Sequence, residues 1–310
     1  MKSSCIIDPQ GKQISLSKII LGTVPFGTTM SKEDSFAIMD LYYEHGGRTF
    51  DTARVYCDWL PGGHGTSERT LGEWVKARGL REEVVLITKG AHPPISDIHC
   101  SRVNPQEIRK DLEDSLQTMQ TEYIDLYFLH RDDESVPVSV IIDMLHEYVK
   151  EGKVRMIGAS NWRIDRILEA NVYAKANGKT PFAASEIQWS YAVCTPETIG
   201  DKTLICMNNE EYAKYKEAGI PVLAFTSQAY GMFSKGYKED LSDLSDKHAR
   251  FYSEENVKRY QKLLQICRET GCTPSDVALK YIIENKDING YAVVGCSKKE
   301  QLLESLGAAE

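Results

Sequence analysis

The amino-acid sequence predicts a (β/α)8 barrel with an N-terminal β-hairpin, in one domain over residues 1–310. Two observations carry this reading. Short runs rich in apolar and β-branched residues alternate with helical stretches along the chain, the pattern of a parallel sheet wrapped by helices. Three of the early runs end on ionisable groups: Asp51 with Tyr56, then Lys89, then His130. A buried strand that delivers such a group at its C-terminal end is how a parallel barrel presents chemistry. A doubly wound sheet is the rival, but no G-x-G-x-x-G follows the first strand.

The elements follow in order. Residues 5–7 and 13–15 flank Asp8-Pro9-Gln10-Gly11, whose Pro and Gly suit a hairpin turn. Residues 19–23 read as the first buried strand, ending at Thr23. Ser31, with Asp34 three residues on, opens a helix in which Phe36, Met39 and Tyr43 step at helical spacing. Gly46-Gly47 ends it. The second strand, residues 48–56, carries Asp51 and Tyr56. A Gly-rich loop over 57–66 leads to a helix capped by Ser67, with Leu71, Trp74 and Val75 on one face. Strand 84–90 ends in Lys89, and a long loop, 91–103, follows. Asn104 then caps a helix with Pro105 at its first position and Glu107 three residues after the cap. Strand 124–130 delivers His130, ahead of a helix over 138–151. Strands 154–158, 183–188, 222–225 and 291–294 complete the eight. A loop, 227–252, and two helical stretches separate the last two strands, the second stretch capped by Thr273 with Pro274 behind it.

Composition narrows the function. Hydrophobic content of 42% and charged content of 26% are those of an ordinary globular enzyme. A net charge of −8 with no basic run argues against nucleic acid as a partner. No apolar stretch is long enough to span a bilayer, and residues 1–20 lack a signal-peptide core, so a cytoplasmic protein without a membrane partner is expected. The eight cysteines make no C-x-x-C pair, so neither a metal site nor a disulfide framework is expected. Nothing in the sequence fixes an oligomeric state.

Asp51, Tyr56, Lys89 and His130 make chemical sense as a set. A Tyr hydroxyl titrates near ~10 and gives up its proton poorly at neutral pH. A Lys ammonium beside it favours tyrosinate and lowers that pKa, and an Asp holds the ammonium in place. A His can hydrogen-bond the same substrate oxygen. Together they form a general acid for an oxygen that turns negative as its carbon is attacked. No nucleophile paired with a base stands out, so the attacking species must come from a cofactor, and hydride from a nicotinamide fits.

From the hairpin to about Leu306 the chain resembles the aldo-keto reductases. Asp51-Thr52-Ala53-Arg54-Val55-Tyr56 is similar to the family's Asp-Thr-Ala-x-x-Tyr, Thr88-Lys89 to its lysine strand and Leu129-His130 to its histidine strand. The resemblance implies that Ser160 and Asn161 hold the nicotinamide carboxamide with Gln188 as third partner, and that Phe225 stacks on the ring. Gly158-Ala159-Ser160-Asn161 carries that pair, which could also cap the helix that follows. The segment from Val294 through Gly295, Ser297 and Lys298 to Gln301 and Glu304 is implied to grip the adenosine end. Thr23, Asp51, Thr226, Ser227 and Gln228 are further expected cofactor contacts. The chain departs from the family in carrying Thr226-Ser227-Gln228 for Ser-Pro-Leu, Gln301 for a common Arg, and Ser305 for a usual Asn.

The expected reaction is therefore reduction of an aldehyde or ketone by NADPH, with NADH as the other choice. Ser297, Lys298 and Lys299 open a helix whose N-terminus attracts anions, which favours the 2′-phosphate. Trp59, His64, His92, Asp132 and Asp133 lie in loops near the tetrad and suggest a polar carbonyl such as a sugar. One alternative is a nicotinamide-binding redox sensor or scaffold with slow turnover, as the potassium-channel β subunits of this family resemble. Another is a barrel hydrolase using Asp132 and Asp133, which leaves Lys89 and the Ser160-Asn161 pair unexplained.

Overall fold

The computed structural model describes residues 1–8 and 10–310. An antiparallel hairpin, β1 (Ser3–Ile7) and β2 (Gln13–Ser17), precedes everything else. Around its turn, Asp8 Oδ1 accepts from the Gln10 and Lys12 amides. Pro9 of the expected turn lies outside the described residues. The barrel strands are β3 (Ile19–Gly22), β4 (Thr49–Asp51), β5 (Val85–Gly90), β6 (Ile124–Leu129), β7 (Val154–Ser160), β8 (Phe182–Gln188), β9 (Val222–Phe225) and β10 (Gly290–Val294). They run parallel in sequence order, and β10 pairs with β3 to close the ring. The expected (β/α)8 barrel with its hairpin is what the chain builds.

Helices cover the outside: α1 (Lys32–Glu44), α2 (Thr66–Arg78), α3 (Pro105–Met119), α4 (Val138–Lys150) and α5 (Ile164–Ala176). The series continues with α6 (Pro196–Ile199), α7 (Asn209–Ala218), α8 (Glu254–Thr270), α9 (Pro274–Ile283) and α10 (Lys299–Gly307). The expected caps form at Ser31, Asn104 and Thr273, each accepting from the amide three residues on. In α1 the buried face is Ser35, Ile38, Met39 and Tyr42, so Phe36 and Tyr43 flank it rather than define it. Ser67 does not cap α2. Gly65, at φ 66°, is the cap residue, and the Ser67 hydroxyl instead bonds Thr23 and Thr52 at 2.9 Å each, tying α2 to the ends of β3 and β4. Nor do Ser160 and Asn161 cap α5, whose cap residue is Arg163.

Alternate residues of each strand point into the barrel. The lower interior is apolar: Ile20, Ile87, Leu126, Met156, Ala184, Leu223 and Tyr291 cluster with Ile6, Ile14 and Leu16 of the hairpin. Gly158 makes room there, because a Cβ at that position would stand 2.3 Å from the Phe128 ring. The outward residues, such as Tyr127, Leu129, Ile157 and Ala159, pack under the helices in a second core.

Candidate active site

The C-terminal ends of the strands open into a cavity of about 840 Å3 that runs from Tyr56 and His130 to Glu304 and Ser305. Lys89 lies beneath its lining, 1% exposed, behind Asp51, Tyr56 and Glu186. Its Nζ donates to both oxygens of Asp51 at 2.7 Å and to the Thr52 carbonyl at 3.0 Å, and stands 3.3 Å from the Tyr56 hydroxyl. The backbone explains the delivery of Tyr56. The strand stops at Asp51, three residues long rather than nine, and the chain turns so that the Tyr56 amide bonds the Ala53 carbonyl at 3.0 Å. Tyr56 thus comes from a loop held against β5, where the Arg54 amide bonds the Lys89 carbonyl. The His130 ring meets Tyr56 edge-on, 6.0 Å between centroids.

The electrostatics differ from the sequence expectation at Tyr56. Burial pushes its hydroxyl well above the usual tyrosine range; Lys89 pulls it down, and Asp51 and Glu186 push it further up. Desolvation, with Asp51 and Glu186 on its side, outweighs the one ammonium, so the site holds a protonated phenol at neutral pH. Lys89 itself stays above the usual lysine range: burial works against its charge, but Asp51, Glu186 and Tyr56 together prevail. Burial, with Arg131, His92 and Lys89, holds His130 far below the usual histidine range. A neutral imidazole keeps one N–H to give and one lone pair to accept.

Not every expected residue reaches the cavity. Ser160, Asn161, Phe225, Thr226, Ser227, Gln228, Gly295, Ser297, Gln301 and Glu304 line it with Asp51, Tyr56 and His130. Thr23 is fully buried below, donating to the Asp51 carbonyl. Lys298 lines a smaller neighbouring cavity of about 260 Å3, which shares Pro25 and Ser297 with the large one. Gln188 is buried without lining the cavity, its amide 3.4 Å from Ser190. Glu186, two residues earlier on the same face of β8, lines it instead. Of the substrate candidates, Trp59 is exposed, His64 is held by Arg54 and Asp58, and Asp132 is bound to Arg166 at 2.7 Å. Asp133 bonds Ser135 within a turn. His92 touches the site indirectly, its ring 4.8 Å from that of His130. Local partners occupy His64, Asp132 and Asp133, so these side chains are not free for a substrate.

Sequence reasoning missed Glu186, Arg131, Lys235 and Lys247, all of which line the cavity. Glu186 was within reach, since period-2 alternation places it beside Gln188 on the inner face. Arg131 is buried behind His130, donating to the His130 carbonyl and Thr203 and pairing with Asp201. The two lysines come from the long loop after β9, where no periodic pattern signals a site.

A model of the aldo/keto reductase family matches residues 18–310. The chain belongs to the aldo/keto reductase family. Members of this family use nicotinamide cofactors, and this aldo/keto reductase is an oxidoreductase. It is 27% identical to an uncharacterized oxidoreductase, YrpG, of Bacillus subtilis, over 96% of this chain and 88% of that protein. It is 29% identical to the norsolorinic acid reductase stcV of Emericella nidulans, over 93% of this chain and 73% of that one. Over 54% of this chain and 44% of the relative it is 35% identical to an aryl-alcohol dehydrogenase [NADP(+)] of Phanerodontia chrysosporium. The donor set fits a nicotinamide cofactor. The cavity supplies hydroxyls and amides along its length, and at its floor Glu186 Oε2 is buried with no partner within the protein. Among the described residues no helix is long and apolar enough to cross a membrane.

Proposed function

We propose that this aldo/keto reductase reduces the carbonyl of an aromatic or similarly flat, apolar aldehyde or ketone to the alcohol with NADPH, and that Tyr56 gives the proton. The observation that carries the proposal is the Tyr56 hydroxyl, protonated, facing the cavity and 3.3 Å from Lys89 Nζ. When bound, the cofactor supplies a hydride to the carbonyl carbon. Tyr56 and the neutral His130 hydrogen-bond the carbonyl oxygen and orient it. As that oxygen gains charge it takes the Tyr56 proton, and the Lys89 ammonium beside it stabilises the phenolate left behind. Asp51 keeps the ammonium charged and fixed through two hydrogen bonds of 2.7 Å.

Ser160 and Asn161 are assigned to the carboxamide of the nicotinamide, with Glu186 rather than Gln188 as the neighbouring third group. Asn161 takes φ 58°, an unfavourable backbone for a non-glycine residue that turns its side chain back to the His130 carbonyl and the Ile205 amide. The apolar substrate class rests on Val24, Pro25 and Leu204, which line the cavity where the polar loop residues do not. The aryl-alcohol dehydrogenase of Phanerodontia chrysosporium, by its name, agrees with it. NADPH is preferred to NADH because Lys235 and Lys247 line the cavity and Lys298 and Lys299 line its neighbour. The Gln301 side chain is engaged, accepting from the Ser297 amide and hydroxyl.

The test is steady-state NADPH oxidation with aromatic aldehydes, aliphatic aldehydes and keto-sugars. Aromatic aldehydes are expected to give the highest kcat/KM. Better turnover of polyhydroxylated compounds would return the substrate to the polar class. Tight nucleotide binding with no turnover across the panel would favour a redox sensor or scaffold.

A further inference from the structure

Glu186 takes no part in the proton transfer just described, yet it occupies the floor of the cavity. Its Oε1 is 3.2 Å from Lys89 Nζ, and its Oε2 is buried without a partner. It stands opposite Ser160 in the β7–β8 ladder, and its carbonyl accepts from the Asn161 amide at 2.9 Å. Asp51 already neutralises Lys89 through a bidentate pair, so a second carboxylate finds no cation left over. The next cation, Arg131, is drawn to Asp201 at 3.3 Å.

We propose that Glu186 sets the charge against which the nicotinamide binds, its carboxylic acid matching the reduced, uncharged ring and its carboxylate the oxidised, positively charged ring. This rests on the nicotinamide reading above. The groups that face Glu186 are Asp51 and Tyr56 from β4 and its loop, Lys89 from β5, and His130 and Arg131 after β6. The flanking strands β7 and β9 pair Glu186 with Ser160 and Leu223, neither of which titrates. Burial, then Asp51, push the Glu186 carboxyl up to about 8, with Lys89 opposing. Its proton therefore leaves in a range where the enzyme can be assayed. An opposite charge close by typically moves a pKa by ~1–3. By linkage, NADP+ tightens its binding relative to NADPH as the pH rises through that range. The 2′-phosphate is common to both nucleotides and cancels in their ratio.

The experiment measures the Kd of NADP+ and of NADPH by quenching of tryptophan fluorescence from pH 6 to 9.5, on the wild-type enzyme, Glu186→Gln and Tyr56→Phe. The expected result is a Kd ratio, NADP+ over NADPH, that falls about tenfold with rising pH in the wild type, since a tenfold preference for one protonation state corresponds to a pKa moved by about one. The fall should persist in Tyr56→Phe and vanish in Glu186→Gln. Should Glu186→Gln fail to fold, calorimetry of the wild type in buffers of different ionisation enthalpy decides the matter. Near pH 8, NADP+ must release more protons on binding than NADPH does. A flat ratio with both nucleotides bound, or a fall lost in Tyr56→Phe and kept in Glu186→Gln, overturns the role of Glu186 and leaves the reductase intact. Failure of either nucleotide to bind at any pH overturns the nicotinamide reading and this proposal with it.

Discussion

At the N-terminal end of the barrel Ile87, Leu126, Met156 and Leu223 pack against one another and against Ile6, Ile14 and Leu16 of the hairpin. Two or four residues further along the same strands the interior becomes Lys89, His130, Ser160 and Phe225, with Asp51 and Glu186 between them. The lower layer satisfies itself. The upper layer crowds two carboxyl groups around one ammonium and leaves His130 Nδ1 and Glu186 Oε2 buried without partners. Cys57, Ala91, Asn161 and Thr226 also take positive φ just beyond the upper strand ends. Such outliers cost about 1–3 kcal/mol each. Identical strands thus serve stability at one end and hold a polar site, at a cost in stability, at the other.

That contrast can be broken by substitutions at each end. Tyr56→Phe at the upper end removes the proton donor and keeps the ring. Its kcat is expected to fall about 10²–10⁴-fold, with no change in the thermal midpoint and little change in cofactor Kd. Near-normal turnover would move the acid to another group, with His130 the first to examine.

Leu126→Ala at the lower end should do the reverse. Removing a fully buried Leu is expected to cost about 2–5 kcal/mol, read by urea unfolding. The kcat per folded molecule should stay near wild type. A parallel collapse of kcat would mean that the two ends are mechanically coupled and that the division is wrong.

Glu186→Gln sharpens the comparison through pH. The folded pKa of Glu186, about 8, lies above the ~4.3 of an unfolded glutamate, so the folded state binds the proton more tightly. The stability this confers is present below ~4.3 and is lost as pH rises to about 8. The variant lacks that loss. Its thermal midpoint should gain on the wild type between pH 5 and 9 and match it most closely at pH 5. A difference that does not change with pH would show that Glu186 is not a stored cost of the site.

The smallest effect belongs to the rim. Lys235 and Lys247 are exposed and line the cavity. Exposed charge pairs are worth about 0.2–1 kcal/mol, so each Lys→Ala change should weaken NADPH by about 1.4-fold to fivefold at low salt. High salt should erase the effect. A weakening that survives high salt would place these lysines with the buried layer instead.

The sequence by itself determined the alternation of strands and helices, the helix caps at Ser31, Asn104 and Thr273, and the residue types of the tetrad. These are local facts: hydrophobic periodicity and side-chain capping act within a few residues, so one stretch of sequence carries them. Tertiary structure decided which inner-face residue of β8 lines the cavity, Glu186 or Gln188. Alternation assigns both to the same side and cannot say where the opening lies. It also decided the state of Tyr56, because burial and the approach of Glu186 from the far side of the barrel outweigh Lys89. It spent His64 and Asp132 on Arg54 and Arg166, and it brought Lys235 and Lys247 in from the long loop to the rim. The physical reason is common to all four. Desolvation, charge coupling and competition for hydrogen-bond partners depend on distances through space, and those distances exist only once the eight strands have closed.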